Sequence, residues 1–251
     1  LDNSDTSSYN TAVGYGALTQ MTTGNSNTGL GHRAADAVTT ASNSVAVGTD
    51  ALGACTTGNA NTAVGKDSLA QLTTQSEMVA VGFKALAANT TGYHNTAVGS
   101  YAADAVTTGI RNTALGYGSL TSATTGNYNT AIGYGTLADT NTENNTAVGH
   151  AALTAATTGG NNTAVGNGAG DAITTSGSNT LVGALAGSAH ATGGGLTAFG
   201  FEAGLVNTNS GNTFIGTEAG ESNTTGYNNT YIGNDAGDSA TTGYNNVIVG
   251  I

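Results

Sequence analysis

Hydrophobic and polar positions along this chain follow one short pattern that repeats about every 17 residues. The pattern is clearest in Asn61-Thr62-Ala63-Val64-Gly65, and close variants of these five residues occur fifteen times. Each copy ends in a glycine, the motif glycine, and twelve of the fourteen steps between motif glycines are 17 residues while the other two are 16. The motif glycines are Gly14, Gly31, Gly48, Gly65, Gly82, Gly99, Gly116, Gly133, Gly149, Gly166, Gly183, Gly200, Gly216, Gly233 and Gly250. A fixed short period predicts one repeat array rather than separate globular domains.

A β-strand is predicted immediately before each motif glycine, which is taken as position 0. Position −3 is always Thr or Val and position −1 is always apolar, and β-branched residues favour extended backbone. Alternation places −3 and −1 on one face, and we expect this face to line the core of the coil. Position −2 is mostly Ala and faces the other way. Since strands that are apolar on both faces belong to sheets covered on both sides, we expect position −2 to meet a second surface such as another chain.

Asparagine occupies position −4 in twelve of the fifteen copies. Its side chain can bond neighbouring backbone at a bend, and equivalent residues stacked in successive coils can form an amide ladder. The predicted structural ladder comprises Asn10, Asn27, Asn61, Asn95, Asn112, Asn129, Asn145, Asn162, Asn179, Asn212, Asn229 and Asn246.

The segment after the motif glycine is predicted to hold a second, shorter strand. It contains a small residue at position +3 and, in the first two-thirds of the chain, Leu at +4. Thr-Thr-Gly or a relative follows and is predicted to be the turn that closes the coil. The fold class is therefore predicted to be all-β, a parallel β-solenoid or β-roll of about fifteen coils, and where copies of the chain pack together, position −2 is expected to face their shared axis.

A second repeat subtype occupies residues 165–251 of the single array 1–251. In it the Leu at +4 becomes Gly, as in Gly170 and Gly220, while Ala at −2 becomes a larger residue such as Leu181 or Phe214. A close-packed interior tolerates the loss of a Leu only if another side chain fills the space. We therefore expect positions −2 and +4 to touch.

Composition and charge exclude several classes of protein. The chain has 251 residues with 40 Gly and no Pro, and its formal net charge is −11 with four basic residues. An acidic surface of this kind argues against nucleic acid as a partner and against anionic membranes, and no apolar run is long enough for a membrane helix. The single cysteine, Cys55, is expected to pack as a small apolar residue. Because the chain starts at Leu1 without Met, we expect it to be part of a longer polypeptide with flanking fibre domains.

Residues typical of catalysis or metal binding are scattered. His32 and His150 share position +1 but lie seven coils apart, and the four histidines are expected to be surface residues. Acids recur at position +5, yet the Gly-Gly-x-Gly-x-Asp pattern of calcium-binding rolls is missing. These acids are Asp36, Asp104, Asp171, Glu221 and Asp238. We therefore predict a protein that is not an enzyme and has no catalytic residues, no metal site and no cofactor.

Position +1 gives the best candidate for a binding surface. Exposed aromatic rings beside Asn and Thr would suit weak, multivalent contact with glycans or a cell surface, whereas buried rings would pack against neighbouring chains, and the sequence favours neither interpretation. The possible surface-binding stripe consists of Tyr15, His32, Phe83, Tyr117, Tyr134, His150 and Phe201. Ice binding is a further hypothesis, but in an extended Thr-Thr pair only one threonine faces outward.

Two fibre families have similar repeats. Asn43-Ser44-Val45-Ala46-Val47-Gly48 resembles the coils of trimeric autotransporter adhesin heads, although the repeat here is longer. Residues 212–220, and 229–237 with Tyr for Phe, resemble the Asn-Thr-Phe-Ile-Gly-x-x-Ala-Gly repeats of bacteriophage tail fibres. The resemblance implies a homotrimeric fibre outside a cell or on a virion, acting as a structural shaft that helps in attachment to a host surface. The alternative it implies is a trimeric bacterial adhesin head that binds glycan, matrix or a receptor.

Overall fold

The computed structural model describes residues 6–139 and 141–251, and it confirms an all-β, parallel β-solenoid of about fourteen turns with a repeat of about 17 residues. The described residues form fifteen three-residue strands and no helix. The chain divides into two compact units, the first ending at Tyr128 and the second beginning at Asn129. The strands of the first unit are β1 Thr11–Val13, β2 Thr28–Leu30, β3 Val45–Val47, β4 Thr62–Val64, β5 Val79–Val81, β6 Thr96–Val98 and β7 Thr113–Leu115. Those of the second are β8 Thr130–Ile132, β9 Thr146–Val148, β10 Thr163–Val165, β11 Thr180–Val182, β12 Thr197–Phe199, β13 Thr213–Ile215, β14 Thr230–Ile232 and β15 Val247–Val249.

Successive strands within each unit pair in parallel and in register. In the first unit, for example, Thr62 lies beside Val79 and Val64 beside Val81. The second unit shows the same alignment, with Thr163 beside Thr180. Equivalent positions of the repeat therefore stack directly on one another along each unit.

The two faces of each strand are opposite to the prediction. Position −2 lies inside the coil, where Ala63 and Phe214 are fully buried. Positions −3 and −1 face outward, so that Val13 is 55% exposed and Leu115 is 44% exposed. The prediction that position −2 faces a shared axis between chains is therefore wrong. The physical reason is that position +4 supplies the large core side chain of a first-subtype coil, such as Leu69, and leaves room for only Ala at −2.

The predicted second strand is also wrong, because the segment after the motif glycine is a series of turns. Positions +2 and +4 both have left-handed backbone, with φ of 59° at Asp67 and 48° at Leu69. Strands require negative φ, so this segment cannot extend. Its backbone still links coils, since the N–H of Leu69 donates to the carbonyl of Ala85 at 3.1 Å.

The motif glycine is required by its backbone and by its neighbours. At Gly65 φ is +129°, and an added Cβ would lie 2.4 Å from the carbonyl oxygen of Gly82 in the next coil. No larger residue fits such a contact without moving the backbone. Close approach between stacked coils thus explains the most regular feature of the sequence.

Asparagine at position −4 links adjacent coils through its side chain. The Oδ1 atom of Asn162 accepts from the backbone N–H of Asn179 at 3.0 Å, and its Nδ2 donates to the carbonyl of Ser176 at 3.0 Å. Where Asn is replaced, Ser44 accepts the equivalent bond from Asn61 through Oγ at 3.2 Å. The buried amide satisfies backbone groups that would otherwise lack a partner.

The expected contact between positions −2 and +4 is present in the second subtype. A Cβ added to Gly170 would lie 2.6 Å from Cδ1 of Leu181, and one added to Gly220 would lie 2.6 Å from Cδ1 of Phe214. The larger side chain at −2 therefore occupies the volume that Leu fills in the first subtype.

Candidate functional site

An exposed, uncharged face runs along the strands of each unit. We call it the strand face, and it consists of the side chains at positions −3 and −1 of β1–β15. Position −3 is Thr or Val and position −1 is Val, Leu, Ile or Phe in every strand. Leu30 is 46% exposed in the first unit, and Phe199 is 55% and Ile232 is 38% exposed in the second. The chain thus presents to solvent the apolar residues that the sequence pattern assigned to the core.

The strand face is a continuous row of partly exposed apolar side chains along each unit. It leaves Leu115 44% and Phe199 55% exposed, and the largest apolar patch on a typical monomer, about 300–600 Å², is often functional. At about 25 cal/mol per Å², covering this area would contribute substantially to association.

Residues of the predicted stripe at position +1 meet in short groups. The Tyr15 and His32 rings stack with centroids 5.6 Å apart, and in the second unit the Tyr134 and His150 rings stack at 5.3 Å. Tyr15 is 81% exposed and Tyr134 is 58% exposed. The stacked pairs hold flat aromatic surfaces toward solvent.

Two other members of the stripe are joined by a residue that the sequence analysis missed. Tyr101 contacts Phe83 edge to face at 5.2 Å and Tyr117 at 5.9 Å. It stands at position +2, so a search of position +1 alone could not find it. Phe201, the remaining member, is 45% exposed in the second unit.

A second aromatic group, also missed, lies on the turn before the strands. The Arg111 group consists of Tyr93, His94, Arg111 and Tyr128. The guanidinium carbon of Arg111 lies 5.9 Å from the ring centroid of Tyr93 and 5.5 Å from that of Tyr128. Nη1 of Arg111 donates to the hydroxyl of Tyr128 at 2.7 Å. These residues occupy positions −6 and −5, where residue type varies from coil to coil, so periodicity gave no signal.

Acidic residues gather at two places on the turns. In the first unit Asp36, Asp50 and Asp67 line a shallow groove with Arg33, whose Nη2 pairs with Asp50. In the second unit the carboxylates of Glu202, Glu218 and Glu221 lie within 4.8 Å of one another. Partial desolvation and the carboxylates of Glu221 and Asp235 raise the pKa of Glu218. Carboxylates on an open surface do not by themselves make a metal site, and the described residues around these carboxylates add no further feature that points to one.

The other acids at position +5 have different surroundings. Asp171 accepts a hydrogen bond from Oγ of Ser188 at 2.5 Å. Asp104 is partly buried, and desolvation raises the pKa of its carboxyl group. Asp238 is exposed. Position +5 therefore does not provide one common type of site.

Position +7 lies inside the coil and holds both Cys55 and His190. Cys55 is fully buried, and burial raises the pKa of its thiol. The expectation that every histidine is a surface residue is wrong for His190, which is fully buried because +7 is a core position. Its Nδ1 lies 3.0 Å from the carbonyl oxygen of Asn207, and burial lowers the pKa of the imidazole. In the next coil Nδ2 of Asn207 donates to Oδ1 of Asn223 at 2.9 Å, so the second subtype contains a polar column in its core.

The two hydroxyls of the Thr-Thr pair differ in their hydrogen bonds. The hydroxyl at position +8 donates to the next coil, as from Thr39 to the carbonyl of Thr56 at 3.1 Å. The hydroxyl at position +9, as in Thr57, faces solvent. The expectation that only one threonine of each pair faces outward is wrong, because the pair lies in a bend rather than in extended backbone, and Thr22 and Thr23, for example, are both exposed.

The sequence matches no protein-family model, and neither a curated protein nor a solved structure is significantly similar to it. Residues 6–139 and 141–251 include no helix that could cross a bilayer.

Proposed function

We propose that this chain is the structural shaft of an extracellular or virion fibre, of the bacteriophage tail-fibre type, in which three copies associate through the strand face. The observation that carries the proposal is the uncharged surface formed in every strand by Thr or Val at position −3 and an apolar side chain at position −1. Covering this surface removes apolar area from water, which is the main driving force of association.

A second copy of the chain is the partner that fits the strand face best. The face repeats with the spacing of the coils, and only another solenoid of the same repeat can match it coil by coil. Copies arranged in parallel about an axis along the stack bring equivalent coils to the same height, and a rotation that closes makes such an assembly a ring rather than an open filament. The net charge of −11 lies elsewhere on the chain, so it does not oppose contact at this face.

The number of copies comes from the resemblance to fibre repeats. Three chains around one axis would cover the strand face of each, with position −1 rather than position −2 nearest the axis. The fibre would then be stiff, because backbone hydrogen bonds connect the coils within each chain and apolar contacts connect the chains.

An adhesin head that binds glycan directly is the second candidate. It is favoured by the stacked pairs Tyr15–His32 and Tyr134–His150, which keep aromatic surfaces exposed. Such surfaces suit the apolar faces of sugar rings. Both functions use the same solenoid and differ in whether position +1 makes the contact with the host.

The solution mass of the chain and of two variants tests the proposal. The unmodified chain should have three times the monomer mass of 24.3 kDa by light scattering at micromolar concentration. The double variant Leu30→Asp, Leu115→Asp places two charges on the strand face and should dissociate the assembly. The matched double variant Thr57→Asp, Thr108→Asp adds the same charge at exposed positions outside the strand face and should keep the trimer.

A mass of 24.3 kDa for the unmodified chain would contradict the proposal. The proposal would also be contradicted if the double variant Leu30→Asp, Leu115→Asp remained a trimer and had the same β content by circular dichroism as the unmodified chain.

A further inference from the structure

The Arg111 group forms a preorganised, positively charged aromatic surface in the first unit. The guanidinium lies between the rings of Tyr93 and Tyr128, each within 6 Å of its carbon, which is the range of cation–π attraction. The hydrogen bond to the Tyr128 hydroxyl fixes the orientation of the guanidinium plane. Tyr93 is 38% and Tyr128 is 45% exposed, so both rings and the cation are open to a ligand.

Arg111 differs from the other arginine in having no acidic partner. Arg33 pairs with Asp50 and Lys66 with Asp67, whereas no ion pair of Arg111 occurs among the described residues. Glu77, an acid on this turn, contacts Nε2 of His94 at 3.3 Å. An oriented arginine without a carboxylate partner in its own chain can bind the carboxylate of a ligand, because its planar N–H donors match both carboxylate oxygens at once.

We propose that the Arg111 group is a binding site for carboxylated sugars, such as the uronic or sialic acid residues of acidic polysaccharides. The sugar carboxylate pairs with the guanidinium, and the C–H face of the pyranose ring packs on Tyr93 or Tyr128. Aromatic rings on both sides of the cation favour a sugar over a flexible acidic peptide, because a sugar presents a rigid ring next to its carboxylate. The site lies within one chain and goes beyond the shaft function, so it does not depend on how many copies associate.

The acidic net charge of the chain lowers the affinity of this site for an anionic sugar but does not prevent binding. Charges on exposed groups are screened over about 8 Å at physiological ionic strength, so the local cation controls recognition at contact. Repulsion from the rest of the chain keeps the affinity of a single site low. Several sites on an assembly that bind one polymer would raise the overall affinity through multivalency.

Titration with a trimer of galacturonic acid, followed by saturation-transfer NMR, tests the site. Maltotriose, which has no carboxylate, is the neutral control and should bind several-fold more weakly. Arg111→Gln should weaken binding of the acidic trimer about tenfold or more, because a charge-assisted bidentate pair is lost. Arg111→Lys, which keeps the charge but not the planar donors, should have an intermediate effect, and Tyr128→Phe should weaken binding about two- to fivefold by freeing the guanidinium.

Arg33→Gln is the matched control, because it removes the other arginine of the same unit and should leave binding unchanged. Circular dichroism and the unfolding midpoint of each variant show whether its fold is retained. Equal binding of maltotriose and the acidic trimer would overturn the proposal. Undiminished binding by folded Arg111→Gln, or the absence of binding to the unmodified chain at millimolar sugar, would overturn it as well.

Discussion

The exchange of volume between positions −2 and +4 makes a quantitative prediction about the core. In the second subtype Phe214 is fully buried, and a Cβ added to Gly220 would lie 2.6 Å from its Cδ1 and Cε1 atoms. First-subtype coils hold the reverse arrangement, in which Leu153 at position +4 is buried with a φ of 51°. The backbone at +4 therefore accepts Leu, and at Gly220 the Phe214 ring occupies the space that a side chain would need.

The two single substitutions should each be costly, and the double one should recover most of the loss. Phe214→Ala leaves a cavity and should cost about 3–5 kcal/mol. Gly220→Leu forces a side chain into the ring and should cost about 1–3 kcal/mol or more. The double variant recreates a first-subtype coil, so its cost should fall below the additive value by at least about 2 kcal/mol.

A double-mutant cycle measured by urea denaturation provides the assay. Because repeat arrays can unfold in parts, amide hydrogen exchange at β13 should accompany the global transition. Phe214→Ala combined with Leu153→Ala serves as the control, since these residues lie in different coils and their effects should add. Additive costs for Phe214→Ala and Gly220→Leu would refute the inference that the two positions compete for one volume.

Three further predictions concern hydrogen bonds, pH and the motif glycine. Asn162→Ala should cost about 3–5 kcal/mol by denaturation because it leaves backbone groups of two coils unpaired, whereas exposed Thr158→Ala should change stability by less than about 0.5 kcal/mol. Stability should fall as the pH drops below about 6.5, by up to about 1.4 kcal/mol per pH unit, because the unfolded chain binds a proton at His190 more readily than the folded chain does. His190→Asn should remove this part of the pH dependence, measured as melting curves over a pH series. Gly65→Ala should lower the melting temperature strongly because its Cβ would lie 2.4 Å from a backbone oxygen, while Gly135→Ala, with no atom within 4 Å of the added Cβ, should cost only about 1 kcal/mol.

The solenoid could be predicted from the sequence because the residues that define each coil recur at a fixed period. Every coil must bring its backbone close to the next at the motif glycine, so a glycine recurs once in each repeat. The assignment of faces failed because a three-residue strand gives too little alternation to show which side is inside. Val64 looked like a core residue by its apolarity, yet Leu69 supplies the core volume and Ala63 is the strand residue that fits beside it.

The turns after the motif glycine and the candidate sites could not be predicted from the sequence. Leucine adopts left-handed backbone only when packing and interstrand bonds impose it, so no sequence rule would assign φ of 48° to Leu69. The Arg111 group is built from single residues at variable positions of successive coils. Their proximity follows from stacking, but the orientation of the rings around the guanidinium depends on side-chain packing.

Chemical crosslinking at the strand face tests most directly the claim that one copy covers this face of another. In a Cys55→Ala background, Leu115→Cys places a thiol on the strand face and Thr108→Cys places one on the exposed turn. A short bismaleimide should link Leu115→Cys chains to one another at low micromolar concentration and leave Thr108→Cys chains single on a denaturing gel. Absence of crosslinks through Leu115→Cys, or equal crosslinking of both variants, would contradict the account.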